Sequence, residues 1–193
     1  MPPETRETEE SRKSLPWTGL LISGGALLLA VGVIGLVVGA RVCGLIGYYV
    51  VPSDGMAPAI PKHSHVLVER FSYLFGTPQR GDIVAYDVEL PPQPKEKFLK
   101  RIVGMPGDVL ERKSECIFIN GKAPREYLPV LGRFDRVPDS LHAEYLTFIK
   151  NRLVLPPEQY FVLGDNVGNS LDSLFLGPVT KAAITGKVLF IFP

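Results

Sequence analysis

The stretch RGDIVAYDVELPP, residues 80–92, is a run of β-forming residues between a Gly-Asp turn and two prolines. Five more short runs rich in apolar and β-forming residues are bounded by similar turn residues. They lie at 42–51, 65–69, 117–120, 160–163 and 187–192. Many short strands separated by glycine and proline turns predict a mainly β domain of sandwich or barrel type.

Two local features refine this prediction. Asn120 and Gly121 follow an apolar run and predict a tight hairpin, because this pair favours the backbone of a two-residue turn. Residues 140–152 are the one segment that suggests a short helix. Its Leu141, Tyr145 and Phe148 recur at helical spacing.

Residues 17–40 contain no charged side chain. A helix of this length would measure about 36 Å at about 1.5 Å per residue, and the hydrocarbon core of a bilayer is about 30 Å thick. A cleaved signal peptide has an apolar region of only about 7 to 15 residues. We therefore predict a disordered tail over 1–16, a transmembrane anchor over 17–40 and the β domain over 41–193.

The basic residues beside the anchor predict its orientation, since they favour the cytoplasmic side of a membrane. Arg6, Arg12 and Lys13 precede the apolar segment, whereas Arg41 follows it and the next basic residue is Lys62. This bias predicts that the N-terminus lies inside and that the domain from residue 41 onward lies on the outer face.

Composition argues against several classes of function. The formal net charge is +1 and the basic residues are dispersed, so we expect no nucleic-acid partner. No histidine and cysteine spacing typical of a metal site is present, and we expect no metal and no cofactor. An oxidising compartment would permit a disulfide between Cys43 and Cys116, while two free thiols are equally compatible with the sequence.

Three polar patches remain, at 52–58 (PSDGMAP), 98–108 (FLKRIVGMPGD) and 164–173 (GDNVGNSLDS). Each alone has an ordinary explanation. The first would suit a turn after the anchor, the second a strand with solvated cations, and the third a long polar loop.

Taken together, in this order and behind an anchor, the patches resemble the type I signal peptidases, also called leader peptidases. Those enzymes carry P-S-x-S-M-x-P, K-R-V-x-G-x-P-G-D and G-D-N-R-x-x-S-x-D-S-R. The matching residues of this chain are Pro52, Ser53, Met56 and Pro58; Lys100, Arg101, Gly104, Pro106, Gly107 and Asp108; and Gly164, Asp165, Asn166, Ser170, Asp172 and Ser173.

The resemblance implies an antiparallel β domain behind one N-terminal anchor in the plasma, or inner, membrane. It implies a serine endopeptidase that removes signal peptides from exported precursors. The expected partners are those signal peptides and membrane lipid. The family pairs a serine nucleophile with a lysine general base, a variant of the serine triad.

The resemblance also assigns roles to single residues. It implies that Lys100 is the general base, that Ser170 orients Lys100, and that Ser53 helps to bind the oxyanion. A lysine acts as a base near neutral pH only where burial lowers its pKa. Met56 and Arg101, together with Asp165 and Asp172, are implied to bind substrate or to support the site.

The chain departs from the family pattern at the nucleophile. Gly55 stands where the family has serine, so no side-chain oxygen is available there. Asp54 beside it would raise the pKa of Lys100 if it pointed inward, and an extended segment would turn it away. Val167 and Leu174 stand where the family has arginines that resemble partners of the site carboxylates.

Three interpretations of function follow. The chain is a signal peptidase impaired by Gly55, or an inactive family member that binds precursors or assists an active paralogue, or a peptidase with a narrower substrate. Ser53 is an alternative nucleophile. In an extended segment its hydroxyl would lie about 6 to 7 Å from the family position, too far for the same chemistry.

Overall fold

The computed structural model describes residues 17–92, 94–113, 116–129 and 152–192. Contacts divide the chain into two compact units, the first ending at Val42 and the second beginning at Cys43. The first contains helix α1 (Trp17–Val42), which runs two residues beyond the predicted end. By length and composition α1 is able to cross a membrane, with a mean hydropathy of 2.2 over Gly25–Val42. A signal sequence meets the same criteria, so crossing itself stays a prediction.

The second unit is mainly β, and every strand pair in it is antiparallel, which confirms the predicted fold class. In the part of this unit that the structure describes, three short helices accompany the strands: α2 (Phe71–Phe75), α3 (Pro124–Tyr127) and α4 (Ser173–Leu176). The strands are β1 (Ile46–Val50), β2 (His65–Glu69), β3 (Ile83–Val88), β4 (Glu96–Gly104), β5 (Val109–Lys113), β6 (Cys116–Ile119), β7 (Arg152–Val154), β8 (Gln159–Leu163), β9 (Val179–Thr180) and β10 (Ile184–Phe192).

The strands form two sheets. The larger has the order β1-β2-β10-β3-β4-β8-β9, and the smaller has the order β6-β5-β7. The chain's last strand, β10, therefore lies between β2 and β3, and β4 lies between β3 and β8. The 98–108 patch begins on β4, and the 164–173 patch begins where β8 ends. Because β4 and β8 are neighbours, this order brings the two patches together.

The described residues of the second unit form three apolar clusters. One surrounds Phe161 between the two sheets, and a second surrounds Ile102 on β4. The third contains Met56 and Ile60, which pack against Val66 and Val68 of β2. This third cluster holds the segment after β1 against the sheet, because fully burying each large apolar side chain contributes about 1.5 to 3 kcal/mol.

Most of the predicted elements are present. All six predicted strand runs overlap observed strands, and the Asn120–Gly121 hairpin is confirmed. Ile119 and Lys122 exchange backbone hydrogen bonds of 2.7 and 3.0 Å across the turn, and both turn residues have positive φ. The strands β5, β7 and β9 were not predicted, and β4 was suggested only as one explanation of the 98–108 patch. Charged residues in β4 and β5 hide their β character.

The predicted helix over 140–152 lies outside the described residues, apart from its last position. Arg152 begins strand β7, so a helix ending there is wrong. Cys43 is a free, exposed thiol. The structure therefore contains no Cys43–Cys116 disulfide. The sequence left a disulfide and free thiols equally open.

Candidate active site

Two consecutive cations on β4, Lys100 and Arg101, are buried. Successive residues of a strand point to opposite faces, so the two side chains meet different surroundings. Arg101 donates from Nε and Nη2 to the two oxygens of Asp165, at 2.8 and 2.6 Å. Its Nη1 also donates to the carbonyl of Gly81 at 2.9 Å. This planar, bidentate ion pair links β4 to Asp165 in the segment that follows β8.

Lys100 has no such partner. It is 6% exposed, and in the described part of the chain its Nζ makes no hydrogen bond or ion pair. Burial lowers the pKa of Lys100, while the negative charges of Asp172 and Asp165 oppose that effect. The direction agrees with the base role implied by the resemblance, because an ammonium is destabilised when it loses contact with water.

The first patch folds into successive turns. Ala57 N donates to Asp54 O at 3.0 Å, and Ile60 N donates to Met56 O at 2.8 Å. The expectation of an extended segment is therefore wrong, and so is the strand-based spacing between Ser53 and position 55. The short-range turn bonds and the burial of Met56 and Ile60 curl this segment back onto the sheet.

Asp54 points away from the site, as predicted. Its side chain is exposed and accepts a long hydrogen bond of 3.4 Å from the backbone N–H of Lys62. The charges that raise the pKa of Lys100 come from other carboxylates.

Gly55 faces the lysine directly. A Cβ placed on Gly55 would lie 3.2 Å from Nζ of Lys100 and 3.3 Å from the carbonyl oxygen of Asn169. A hydroxyl on that Cβ could therefore reach hydrogen-bond distance of the amine. Both contacts are tight, and Nζ can yield because it ends a flexible side chain. The structure thus brings together the lysine and the position at which the family has its nucleophile.

Asp172 is 1% exposed. Burial raises the pKa of its carboxyl, against the opposing effect of two backbone N–H groups. These belong to Gly164 and Leu174, and each donates at 3.0 Å. Ser170 Oγ is enclosed beside this carboxylate, without the geometry of a full hydrogen bond. Backbone donors therefore take the place of the arginine that the resemblance leads one to expect.

Leu174 stands at one of the two positions where the family has an arginine. Its side chain is 1% exposed and packs in the cluster around Phe161 and Leu163. The position thus serves the apolar core. Val167 begins a 3-10 turn, Val167–Asn169. No arginine stands at either position to contact the site.

Backbone contacts fasten the first patch to the third. The backbone N–H of Asn166 donates to the carbonyl of Gly55 at 3.2 Å. The side-chain amide of Asn166 donates to the carbonyl of Asp54 at 3.1 Å. Sequence reasoning gave Asn166 no role beyond matching a motif. Its partners are main-chain oxygens, so only the match to G-D-N pointed to it.

Gly164 is the tightest contact in this arrangement. A Cβ there would collide with the Ser170 side chain and with the carbonyl of Gly55. We expect Gly164→Ala to lower the melting temperature by several degrees, since overpacking costs about 1 to 3 kcal/mol. Gly168→Ala is the matched control, because a Cβ at Gly168 meets nothing within 4 Å. Equal melting temperatures for the two variants in a thermal unfolding scan would contradict this packing.

A groove of about 670 Å³ runs beside Gly55 and Lys100. On the β8 side of β4, strand pairing covers only Arg101–Gly104. Among the described strands, residues 96–100 pair with β3 alone, and all of them line the groove. The groove therefore has an unpaired strand edge as one wall. Other lining residues are Val50, Val51, Pro52, Ser53, Met56, Asn169, Ser170, Leu171 and Phe175.

The family model described as "Signal peptidase, peptidase S26" matches residues 24–193, most of the chain. The chain belongs to this signal peptidase family. A signal peptidase I from Bacillus amyloliquefaciens is 30% identical over 193 residues, covering 100% of this chain and 95% of the relative. Signal peptidase I S from Bacillus subtilis is 35% identical, covering 75% of each.

Two further similarities lie beside these. A probable signal peptidase I-2 from Synechocystis is 29% identical over 97% of this chain and 79% of the relative. The crystal structure of a signal peptidase I from Enterococcus faecalis is 31% identical and covers 59% of this chain and 97% of that one, with a TM-score of 0.42. Family membership supports a role in signal-peptide removal, and hence substrates that carry signal peptides.

Proposed function

We propose that this chain is a membrane-bound protein of signal peptidase I type that holds the signal peptides of exported precursors and is severely impaired in cleaving them. The observation that carries the proposal is the position of Gly55 against Lys100. The base that the family uses is buried and directed at this residue, yet glycine offers no oxygen to attack a peptide carbonyl.

The unpaired edge of β4 supports substrate binding. A strand whose N–H and C=O groups lack a partner accepts an extended peptide as an added strand. The walls beside this edge are mainly apolar, with Val51, Met56, Leu99 and Phe175 among them. An apolar peptide with small side chains at the first and third positions before the cut would fit such a groove, as the family resemblance implies.

The site roles follow the same proposal. Lys100 is the base, Gly55 marks the nucleophile position, Ser53 is the oxyanion donor and Ser170 orients the lysine. Met56 forms part of the substrate-binding wall.

Buried polar pairs support these groups from behind. Arg101 and Asp165 fix the register of β4 against the segment after β8. Asp172 organises the segment that carries Ser170, because two backbone N–H groups converge on its carboxylate.

We place the chain in the plasma, or inner, membrane with α1 as its anchor. The basic residues before α1 favour an N-terminus inside, which puts the groove on the outer face where exported precursors emerge. Membrane lipid is then a partner of α1, and an active paralogue would perform the cleavage that this chain does poorly.

The test uses the full chain in detergent with a labelled precursor. We expect the precursor to bind, with cleavage reduced by at least about 10³-fold relative to an active relative, the scale seen when a catalytic serine is lost. A second precursor with large side chains at the first and third positions before the cut is the control, and it should bind weakly.

Efficient cleavage by the unaltered chain would disprove the impairment. If Lys100→Ala abolished that cleavage, Ser53 or a lysine-activated water would be the nucleophile. Equal, weak retention of both precursors would instead disprove the role of the groove.

A further inference from the structure

We propose that the groove prefers a peptide with a free C-terminal carboxylate, of the kind that signal-peptide cleavage releases, over an uncleaved chain of the same sequence. The inference rests on the proposed function of the groove and specifies its ligand. It follows from three features around Gly55: a buried amine that lies over the Phe98 ring and makes no hydrogen bond or ion pair in the described residues, a missing side chain, and uncommitted backbone donors.

The amine is that of Lys100. Its side chain is 6% exposed, and within the described ranges its Nζ lies beyond ion-pair distance of every carboxylate. Asp172 acts on it only at longer range and directs its oxygens to the N–H groups of Gly164 and Leu174. Burial disfavours the ammonium form of Lys100, and a carboxylate arriving in the groove would favour that form by giving it a counter-ion.

The space for such a carboxylate is created by Gly55. A Cβ at this position would lie 3.2 Å from Nζ, so any larger residue would place its own atoms against the amine. With glycine there, an atom of a bound peptide can approach Nζ from the groove. The same absence that removes the nucleophile opens the cation to an anionic ligand.

Backbone donors complete the site. In the part of the chain that the structure describes, the N–H groups of Gly55 and Met56 donate to no acceptor, and both residues line the groove. Uncommitted N–H groups of a turn beside a cation are a recognised way of capturing a peptide C-terminus. An oxyanion site and a carboxylate site need the same donors.

The peptide's position follows from the strand edge. A peptide added along residues 96–99 ends its run beside Lys100, where the edge meets the pairing of β8. The carbon that an active enzyme would attack then lies next to Gly55. In a cleaved peptide that carbon is the terminal carboxylate, whereas in an uncleaved chain it is a neutral amide that offers the ammonium a weaker acceptor.

The experiment compares two short synthetic peptides of identical apolar sequence with alanine at the first and third positions from the end. One ends in a carboxylate and the other in a carboxamide. Binding to the full chain in detergent is measured by fluorescence anisotropy. We expect the carboxylate peptide to bind about tenfold more tightly, the lower end for a charge-assisted contact, because Asp172 opposes the incoming charge.

Two variants separate this effect from general charge. In Lys100→Met the ratio of the two affinities should fall to near one. Lys95→Met removes the same charge from a lysine that pairs with Asp87 and does not line the groove, and it should retain the ratio. Gly55→Ala should also reduce the ratio, because its methyl group takes the space beside Nζ.

The outcomes are distinct. Equal binding of both peptides, or tighter binding of the carboxamide, would overturn the carboxylate preference and leave the groove's role intact. Loss of the preference in Lys95→Met would assign it to general charge and overturn the inference as well. If neither peptide bound, the proposed function of the groove would fail together with the inference.

Discussion

Gly55→Ser is expected to raise precursor cleavage by about 10³-fold or more, the scale on which a catalytic serine contributes. The new Cβ would lie 3.2 Å from Nζ of Lys100, which puts a hydroxyl within reach of the base. The carbonyl of Gly55 is already held by Asn166, so the turn does not need rebuilding. Cleavage of a labelled precursor in detergent measures the gain.

Two controls define the source of that gain. Gly55→Ala adds the same Cβ without an oxygen and should remain inactive. Gly55→Ser combined with Lys100→Met supplies the hydroxyl without the base and should lose nearly all of the gain. If Gly55→Ala matched Gly55→Ser, the effect would be one of packing rather than of chemistry.

The pH profile of the Gly55→Ser variant adds a signature. The base acts in its neutral form, so activity should be present above the pKa of Lys100 and fall as the pH drops through that value. Burial lowers this pKa from the ordinary value of 10.5. The fall in activity should therefore be centred below pH 10.5. A pH profile of precursor binding by the same variant, measured at low temperature, should not show this fall.

Asp165→Asn is expected to lower the free energy of unfolding by about 3 to 5 kcal/mol, because it leaves the buried guanidinium of Arg101 without its counter-ion. The carboxylate is fully buried at its side chain and accepts two hydrogen bonds from Arg101. Chemical denaturation of the detergent-solubilised chain, followed by far-ultraviolet circular dichroism, gives the free energies of unfolding of the two proteins.

The matched control is Asp87→Asn, which breaks the more exposed pairs with Lys95 and Lys97 and should cost no more than about 1 kcal/mol. The double variant Asp165→Asn, Arg101→Met should be more stable than Asp165→Asn alone, since it removes the stranded charge. Equal costs for Asp165→Asn and Asp87→Asn would mean that the buried pair contributes no more than a surface one.

Much of the fold could be predicted because its signals are local. Turn residues such as Asn120 and Gly121 readily adopt positive φ. Apolar runs such as 160–163 mark buried strands. β4 was suggested only as one explanation of the 98–108 patch because Lys97, Lys100 and Arg101 interrupt its apolar character. Arg101 is accommodated by Asp165 and Lys97 by Asp87, pairings between different elements that no local pattern reveals.

The candidate site divides in the same way. The motif match brought Lys100, Gly55 and Ser170 into one hypothesis, and the structure places them around one groove. Two details depended on tertiary packing. The Ser53–Met56 segment turns because Met56 is drawn into the core. Asp172 manages without an arginine because backbone N–H groups reach it.

The attachment of the turn through main-chain atoms has a genetic consequence. Asn166 donates hydrogen bonds to the carbonyls of Asp54 and Gly55, so these contacts of the turn do not depend on the side chain at position 55. Glycine and serine codons can differ by a single nucleotide. One nucleotide change can therefore exchange Gly55 for serine, the side chain that the family uses as its nucleophile, while the main-chain contacts of the turn stay as they are.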